Sequence, residues 1–396
     1  MKIDTNLEKV EDILIRGTED IFIREHLKEA LLSGKQLRIK FGIDPTSPHI
    51  HLGRAVPLRK LKAFQDLGHQ VVLIIGDFTA KIADPSDKLE KRPMLSDEEI
   101  KENLKDYLRQ INLVIDTKKA EIHYNSEWFS SMNLFEIGKL LENFTFQQMA
   151  RRRNFSERLE KGEDVFVVEL MYPAMQGYDS FQIKADVEIG GFDQLFNLKA
   201  GRTVQKKNGQ KEQDIMTVSM LLGTDGRKMS SSWGNVISLL DTKEDMYGKI
   251  MAVKDDLLYN YFVLCTDLSK KEIEEISSEL EQKENYKEMK MRLATEIVSL
   301  YHGAKDAKEA EENWNKTFSQ GGVPDDVLTL TAAADALLVD ILLAEKIIES
   351  KTDWRRLVEN GAVTNMQSGE KITEEKIKAT TGTYKIGKKR FVKIVN

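Results

Sequence analysis

Val71–Ile75 is an unbroken apolar run of five residues, and it constrains the fold more than any other stretch. A run this short, rich in β-branched residues and bounded by polar ones, reads as a strand buried on both faces. Parallel sheets bury strands in that way. The preceding residues agree. Leu37, Ile39 and Phe41 alternate with polar positions, the period of a half-buried strand, and Leu58, Leu61, Phe64 and Leu67 recur along one side of a helix that Gly68 would stop. The result is a strand–helix–strand unit whose polar loop, FGIDPTSPHIHLGRA, opens onto a helix N-terminus, where unpaired N–H groups and the helix dipole attract anions. The loop lacks the glycine spacing of a dinucleotide fingerprint or a P-loop, so side chains must help to grip any phosphate held there.

The alternation continues downstream. Residues 1–35 read as a helical approach stopped by Gly34, 97–110 as a charged helix, and 133–163 as helical segments interrupted by Arg151–Arg153. Glu169 to Lys184 reads as a helix, Val187–Ile189 as a short strand, Gly190–Gly191 as a tight turn, and Asp193 as the opening of another helix. Ile215–Leu222 reads as a strand, followed by a loop over 223–232. Strands alternating with helices, with polar loops after the strands, predict an α/β doubly wound parallel sheet over 1–241. From Thr242 the pattern turns strand-poor. Segments 243–253, 255–265, 269–282 and 285–318 have helical periodicity and predict a helical domain over 242–325, with a linker beginning at Gly321–Pro324. Two helical pieces and short strands near Val363, Tyr384 and Phe391–Val395 then predict a small α+β domain over 335–396.

The net charge is −6, yet residues 376–396 carry seven Lys or Arg and no acid. Either an anionic partner is met at that end or the tail is simply solvated. One cysteine, Cys265, excludes an intrachain disulfide framework and a multi-thiolate zinc site. With no apolar run near the ~18 residues of a membrane span and no signal-peptide pattern at the start, a cytoplasmic or organellar-matrix enzyme is expected, with no membrane partner. His49 and His51 are two imidazoles where a metal site needs three or four ligands. They cap the helix, or His51 beside Thr46 donates to a phosphate. The loop Gly226–Ser232 places Lys228 before hydroxyls, a set suited to a polyphosphate or to an ordinary surface loop. Tyr172, Gln176 and Asp179, spaced i, i+4 and i+7, share one helix face among Met171, Ala174 and Phe181. That row faces a ligand or is a solvated polar stripe.

These motifs carry a resemblance. Asp44-Pro-Thr-Ser-Pro-His-Ile-His51-Leu-Gly53-Arg54 resembles the HIGH signature of class I aminoacyl-tRNA synthetases, and Lys228-Met229-Ser230-Ser231-Ser232 resembles their KMSKS loop. With Gly76–Thr79, Asp84-Pro-Ser, Tyr172–Asp179, Gly190–Gln194 and the basic end, the likeness extends along essentially the whole chain, toward the bacterial-type tyrosyl-tRNA synthetase family. It implies a Rossmann-like catalytic domain, a helical anticodon-arm domain and an S4-like RNA-binding domain. It also implies tyrosine activation by ATP with Mg2+, transfer to tRNA(Tyr), no prosthetic group, and a homodimer. By resemblance, Asp179 reads the tyrosine hydroxyl; Asp84, Tyr172 and Gln176 hold the ammonium; Gly42 and Gln194 complete the amino-acid pocket. Thr46 and His51 grip the γ-phosphate side and Lys228 the pyrophosphate, with Lys88 and Arg92 closing over it. Asp44, Gly53, Arg54, Gly190, Gly191, Asp193, Met229, Ser230, Ser231 and Ser232 belong to the ATP side. Arg355, Arg356, Lys388, Lys389 and Arg390 face RNA. Two positions depart from the pattern: Arg54 stands for the second histidine of HIGH, and Ser231 for the second lysine of KMSKS. Lys40 occupies a position where some relatives carry a phenol-contacting tyrosine and is left unassigned. Alternatives are a tryptophan-specific synthetase, a catalytically weak duplicate kept for RNA binding, or a small nucleotidyltransferase.

Overall fold

Six strands, β1 (Thr18–Phe22), β2 (Arg38–Ile43), β3 (Gln70–Ile75), β4 (Glu121–Tyr124), β5 (Val187–Gly191) and β6 (Asp214–Val218), form one sheet in the order β1-β6-β5-β2-β3-β4. This is a computed structural model that describes residues 2–82, 84, 94–282, 285–316, 327–332, 336–387 and 390–395. The sheet lies in the first of two compact units, Met1–Tyr301, the second being His302–Asn396. All pairings from β6 to β4 are parallel, and only β1 runs antiparallel, against β6. The expected doubly wound α/β sheet is what forms.

Val71–Ile75 is buried throughout, and the helix Leu52–Asp66 lays Leu58, Leu61 and Phe64 against the sheet. Gly68 at φ +93° ends that helix in the left-handed region that side chains avoid. The sheet grows outward in both directions from β2, with β3 and β4 on one side and β5 and β6 on the other. The boundary between β2 and β5 is therefore the switch point, where doubly wound sheets open a crevice at the strands' carboxyl ends. Here β2 and β5 pair only at Ile39↔Val187 and Lys40↔Glu188, and pairing stops before Gly42 and Gly190.

Several local expectations are corrected. Thr18–Phe22 is a strand within the stretch read as a helical approach, and β4 was not anticipated at all. Gly190 and Gly191 are not a turn; they are the last rungs of β5, opposite Thr217 and Val218. The long helix expected over 285–318 is two, Tyr286–His302 and Ala304–Trp314, parted at Gly303 with φ +92°.

In the second unit, β7 (Leu328–Thr331), β8 (Val363–Asn365), β9 (Gly382–Ile386) and β10 (Arg390–Val395) form a sheet in the order β7-β10-β9-β8. The short strands expected near Tyr384 and over Phe391–Val395 are β9 and β10, paired antiparallel. Residues 328–331, within the region read as linker, pair in parallel with β10. The core joins Trp354, Leu338, Leu342, Tyr384, Val392 and Ile394.

Candidate active site

The crevice at the switch point has a volume of about 610 Å³. Its walls hold Gly42, Asp44, Thr46, His51, Gly53, Arg54, Asp84, Tyr172, Gln176, Asp179, Gly190, Gly191, Asp193, Gln194, Lys228, Met229, Ser230 and Ser231. Residues separated by nearly two hundred positions thus converge on one cavity. Lys88 and Arg92 lie outside the described residues, as do Lys388 and Lys389; Ser232 follows the lining serines in the same loop.

Backbone hydrogen bonds tie the end of the loop Asp44–Arg54 to the segment that follows Gly226–Ser232. Leu52 N–H donates to the Ile237 carbonyl at 2.9 Å, and Leu239 N–H to that of Ile50 at 2.9 Å. Gly53 N–H meets Met229 Sδ at 3.3 Å. Asn235 holds the second loop in shape: its Oδ1 accepts from Ser230 N–H at 2.8 Å, and its Nδ2 donates to Asp225 at 2.8 Å and to the Lys228 carbonyl at 3.1 Å. His51 caps the helix Leu52–Asp66, its Nδ1 accepting from Arg54 N–H at 3.3 Å. The proton of a neutral ring then sits on Nε2. Burial, reinforced by the charges of Arg54 and Lys228, pushes the imidazole pKa down to about 4, so the ring is a neutral donor at physiological pH. His49 is exposed, and no cluster of three or more metal-ligating side chains occurs among the described residues.

Arg54 turns back onto the loop. Nη2 donates to Thr46 Oγ1 at 2.6 Å, while Nη1 reaches Ser47 Oγ at 3.2 Å and Tyr107 Oη at 3.3 Å. On the opposite wall, Lys228 Nζ stands 3.3 Å from Asp193 Oδ2. Phe192, Met220 and Trp233, each about half exposed, add an apolar ledge beside them.

The other half of the crevice is a polar network in an apolar shell. Asp44 accepts from Thr79 Oγ1 and from Tyr172 Oη, both at 2.8 Å; a Cβ at Gly76 would overlap this carboxylate. Burial and the nearby Asp44 raise the Tyr172 phenol well above its usual range, so it stays a donor. Gln194 Nε2 donates to Asp84 Oδ2 at 2.6 Å. Asp179 is 4% exposed; burial pushes its pKa up to about 7, against the Lys40 charge and hydrogen bonds from Trp128 and Asn125. Trp128 Nε1 lies 3.0 Å from Asp179 Oδ1, and Asn125 Nδ2 lies 3.5 Å from Oδ2. Neither Trp128 nor Asn125 was singled out from the sequence, because both lie some fifty residues before Asp179 with no motif of their own.

Residues 32–319 match the family described as tRNA synthetases class I (W and Y). The chain belongs to that family. It is 41% identical over 392 residues to a tyrosine–tRNA ligase of Dehalococcoides mccartyi, covering 98% of each chain, and 41% identical over 387 residues to one of Thermotoga maritima, covering 96% of each. In fold it is similar to a C-terminally truncated mitochondrial tyrosyl-tRNA synthetase of Aspergillus nidulans, with a TM-score of 0.66 at 22% identity over 78% of this chain and 94% of that one. In this synthetase, then, the crevice lies wholly within the stretch that matches the family.

Arg355 and Arg356 are exposed in the second unit, where they pair with Glu375 at 2.9 Å and Asp353 at 2.8 Å. Arg390 is exposed too and reaches the Ile347 carbonyl. Exposed pairs of this kind contribute little to stability. No helix among the described residues is long and apolar enough to cross a membrane.

Proposed function

We propose that this synthetase activates tyrosine with ATP and transfers it to tRNA(Tyr). The observation that carries the reading is Asp179, a buried carboxylate at the crevice floor held by Trp128 and Asn125. It can accept the proton of a phenol, and a phenylalanine ring would leave it unpaired. Sites built to pair a substrate hydroxyl reject the analogue lacking it by about 10⁴- to 10⁵-fold, and tyrosine-specific synthetases are themselves the standard case.

Tyrosine lies with its phenol toward Asp179 and its ammonium toward Gln176, Asp84 and the Asp44–Tyr172 pair, while Gly42, lacking a side chain, leaves room above β2. ATP lies across Gly190, Gly191 and Asp193, its base on the ledge of Phe192 and Met220. The tyrosine carboxylate oxygen attacks the α-phosphorus, forming the acyl–phosphate bond as the bond to the β-phosphate oxygen breaks and pyrophosphate leaves. The 3′-terminal hydroxyl of tRNA then attacks the acyl carbon, and AMP departs. No side chain needs to shuttle a proton in the first step, so catalysis is positioning plus stabilisation of oxygen charge. Neutral His51 donates from Nε2, Thr46 from its hydroxyl, and Lys228 supplies charge once a phosphate draws it from Asp193. Mg2+ accompanies ATP as a phosphate counterion. Residues 242–325, read from the sequence as a helical domain, meet the anticodon arm, and residues 335–396, read as S4-like, meet RNA through Arg355, Arg356 and Arg390. Leu134, Phe135, Phe146 and Val167, 63–85% exposed, suit a second copy of this chain. Tyrosine-dependent ATP–pyrophosphate exchange tests the reading: exchange with tyrosine and not with tryptophan or phenylalanine is expected, and no exchange with tyrosine refutes it.

A further inference from the structure

Directly beneath the crevice, on the last rung that joins β2 to β5, Lys40 stands opposite Glu188. Both side chains are 0% exposed, and their charged ends are 2.8 Å apart. Lys40 Nζ also donates to the Gln176 carbonyl at 2.8 Å and to Ser180 Oγ at 2.7 Å. Glu188 accepts from Gln176 Nε2 at 3.1 Å, from Ser180 Oγ at 3.1 Å and from Gln213 Nε2. The pair thus binds both the backbone and the side chain of Gln176, and a residue one turn beyond it. Asp179 lies between those two attachment points on the same helix, Val167–Gln182.

A fully buried ion pair is a poor way to gain stability, since desolvating two charges costs several kcal/mol each and an apolar pair of equal volume commonly does as well. What this pair supplies is orientation and field. Gln176, with its amide nitrogen fixed on Glu188, keeps Oε1 as the acceptor that an ammonium requires. Lys40 is the cation that opposes the burial of Asp179.

We propose that Lys40 and Glu188 are positioning residues for the tyrosine pocket, fixing the Gln176 amide and supplying the countercharge beneath Asp179. This rests on the tyrosine reading above. The groups facing Asp179 are Lys40 from β2, Glu188 from β5, Trp128 and Asn125 from the segment after β4, and Tyr172 from its own helix. Of the two buried charges, that of Lys40 acts more strongly on Asp179.

The test is the double variant Lys40→Met/Glu188→Gln in the full chain, which removes both charges without orphaning either, followed by pyrophosphate exchange with tyrosine and with phenylalanine. The expected result is a tyrosine KM raised about 30-fold with the KM for ATP unchanged, as for a lost positioning contact, and a tyrosine-over-phenylalanine preference reduced about tenfold. Raising the pH from about 7 to about 9 lowers the tyrosine KM of the variant by a larger factor than that of wild type, because Asp179 without its countercharge needs higher pH to ionise. A merely structural pair would not give that pH dependence. Tyrosine KM and preference within about twofold of wild type in a folded double variant overturn the proposal. If the double variant does not fold, Ser180→Ala, which removes the hydroxyl bridging the pair, serves instead: about a threefold rise in tyrosine KM supports the proposal and an unchanged one overturns it. A wild type without tyrosine-dependent exchange overturns the functional reading and this inference together, whereas an active wild type with an indifferent variant overturns this inference alone.

Discussion

Arg54 stands where the resemblance puts the second histidine of HIGH, and its contacts in the structure indicate what its removal should cost. In Arg54→Gln, the guanidinium loses contacts to Thr46 at 2.6 Å, Ser47 at 3.2 Å and Tyr107 at 3.3 Å. Hydrogen bonds from a charged donor contribute about 1.5–3 kcal/mol each. Thr46 and Ser47 are half-buried and line the crevice, so water can replace their lost donor; what is lost is the loop's orientation. One charged bond's worth, about 2–3 kcal/mol, is therefore expected to appear on the ATP side, a fall of about 10²-fold in kcat/KM for ATP. Tyr107 is fully buried and has no water to turn to, so its share appears as about 1–3 kcal/mol of global stability. Pyrophosphate exchange at varied ATP and varied tyrosine, alongside denaturant unfolding, separates the two. A change below about threefold on the ATP side, or an equal loss on both substrates, would refute the assignment of Arg54 to holding the phosphate-side loop.

Three further outcomes are expected. Asp179→Ala should relax the rejection of phenylalanine by at least about 10²-fold, read as the ratio of kcat/KM values; unchanged discrimination removes Asp179 from the hydroxyl. His51 has a folded-state pKa depressed to about 4 against an unfolded value of about 6.5. Its stabilising contribution is therefore complete above about pH 6.5 and lost as pH falls toward 4. His51→Asn, which still caps the helix, should flatten that part of the stability–pH curve, and an unaltered slope would contradict the assignment. Deleting His302–Asn396 should leave adenylate formation within about threefold while weakening the charging of tRNA by about 10²-fold or more; equal loss of both activities would make the second unit structural.

The interior of the fold was legible because burial writes itself into hydrophobic pattern. Val71–Ile75 has no polar position to obscure it, and Leu58, Leu61 and Phe64 mark a helix face. The edges were not legible. Thr18–Phe22 buries none of its residues fully, β4 has four half-buried residues, and β7 buries only Leu330. Strands held by backbone pairing on one side need little apolar side chain, so the pattern fades where the sheet ends. The site divides in the same way. Loops with short-range chemistry, such as Asp44–Arg54 and Gly226–Ser232, announced themselves. Partners that meet only in three dimensions did not. Tyr172, expected as an ammonium contact, donates to an Asp44 that precedes it by 128 positions. Trp128 carries no local sign that it reaches Asp179, and Lys40 became interpretable only once Glu188 stood opposite it.

The narrow seam between β2 and β5 also bears on how the molecule comes together. β2, β3 and β4 lie within residues 38–124, whereas β1 must wait for β6, nearly two hundred positions later. Bringing such distant segments together is the slow part of building a sheet. A half-assembled molecule carries Thr46 and His51 on one edge, while Asp193 and Lys228 arrive only with the other half, across two rungs of pairing. Until those rungs close there is no cavity in which ATP and an amino acid can meet.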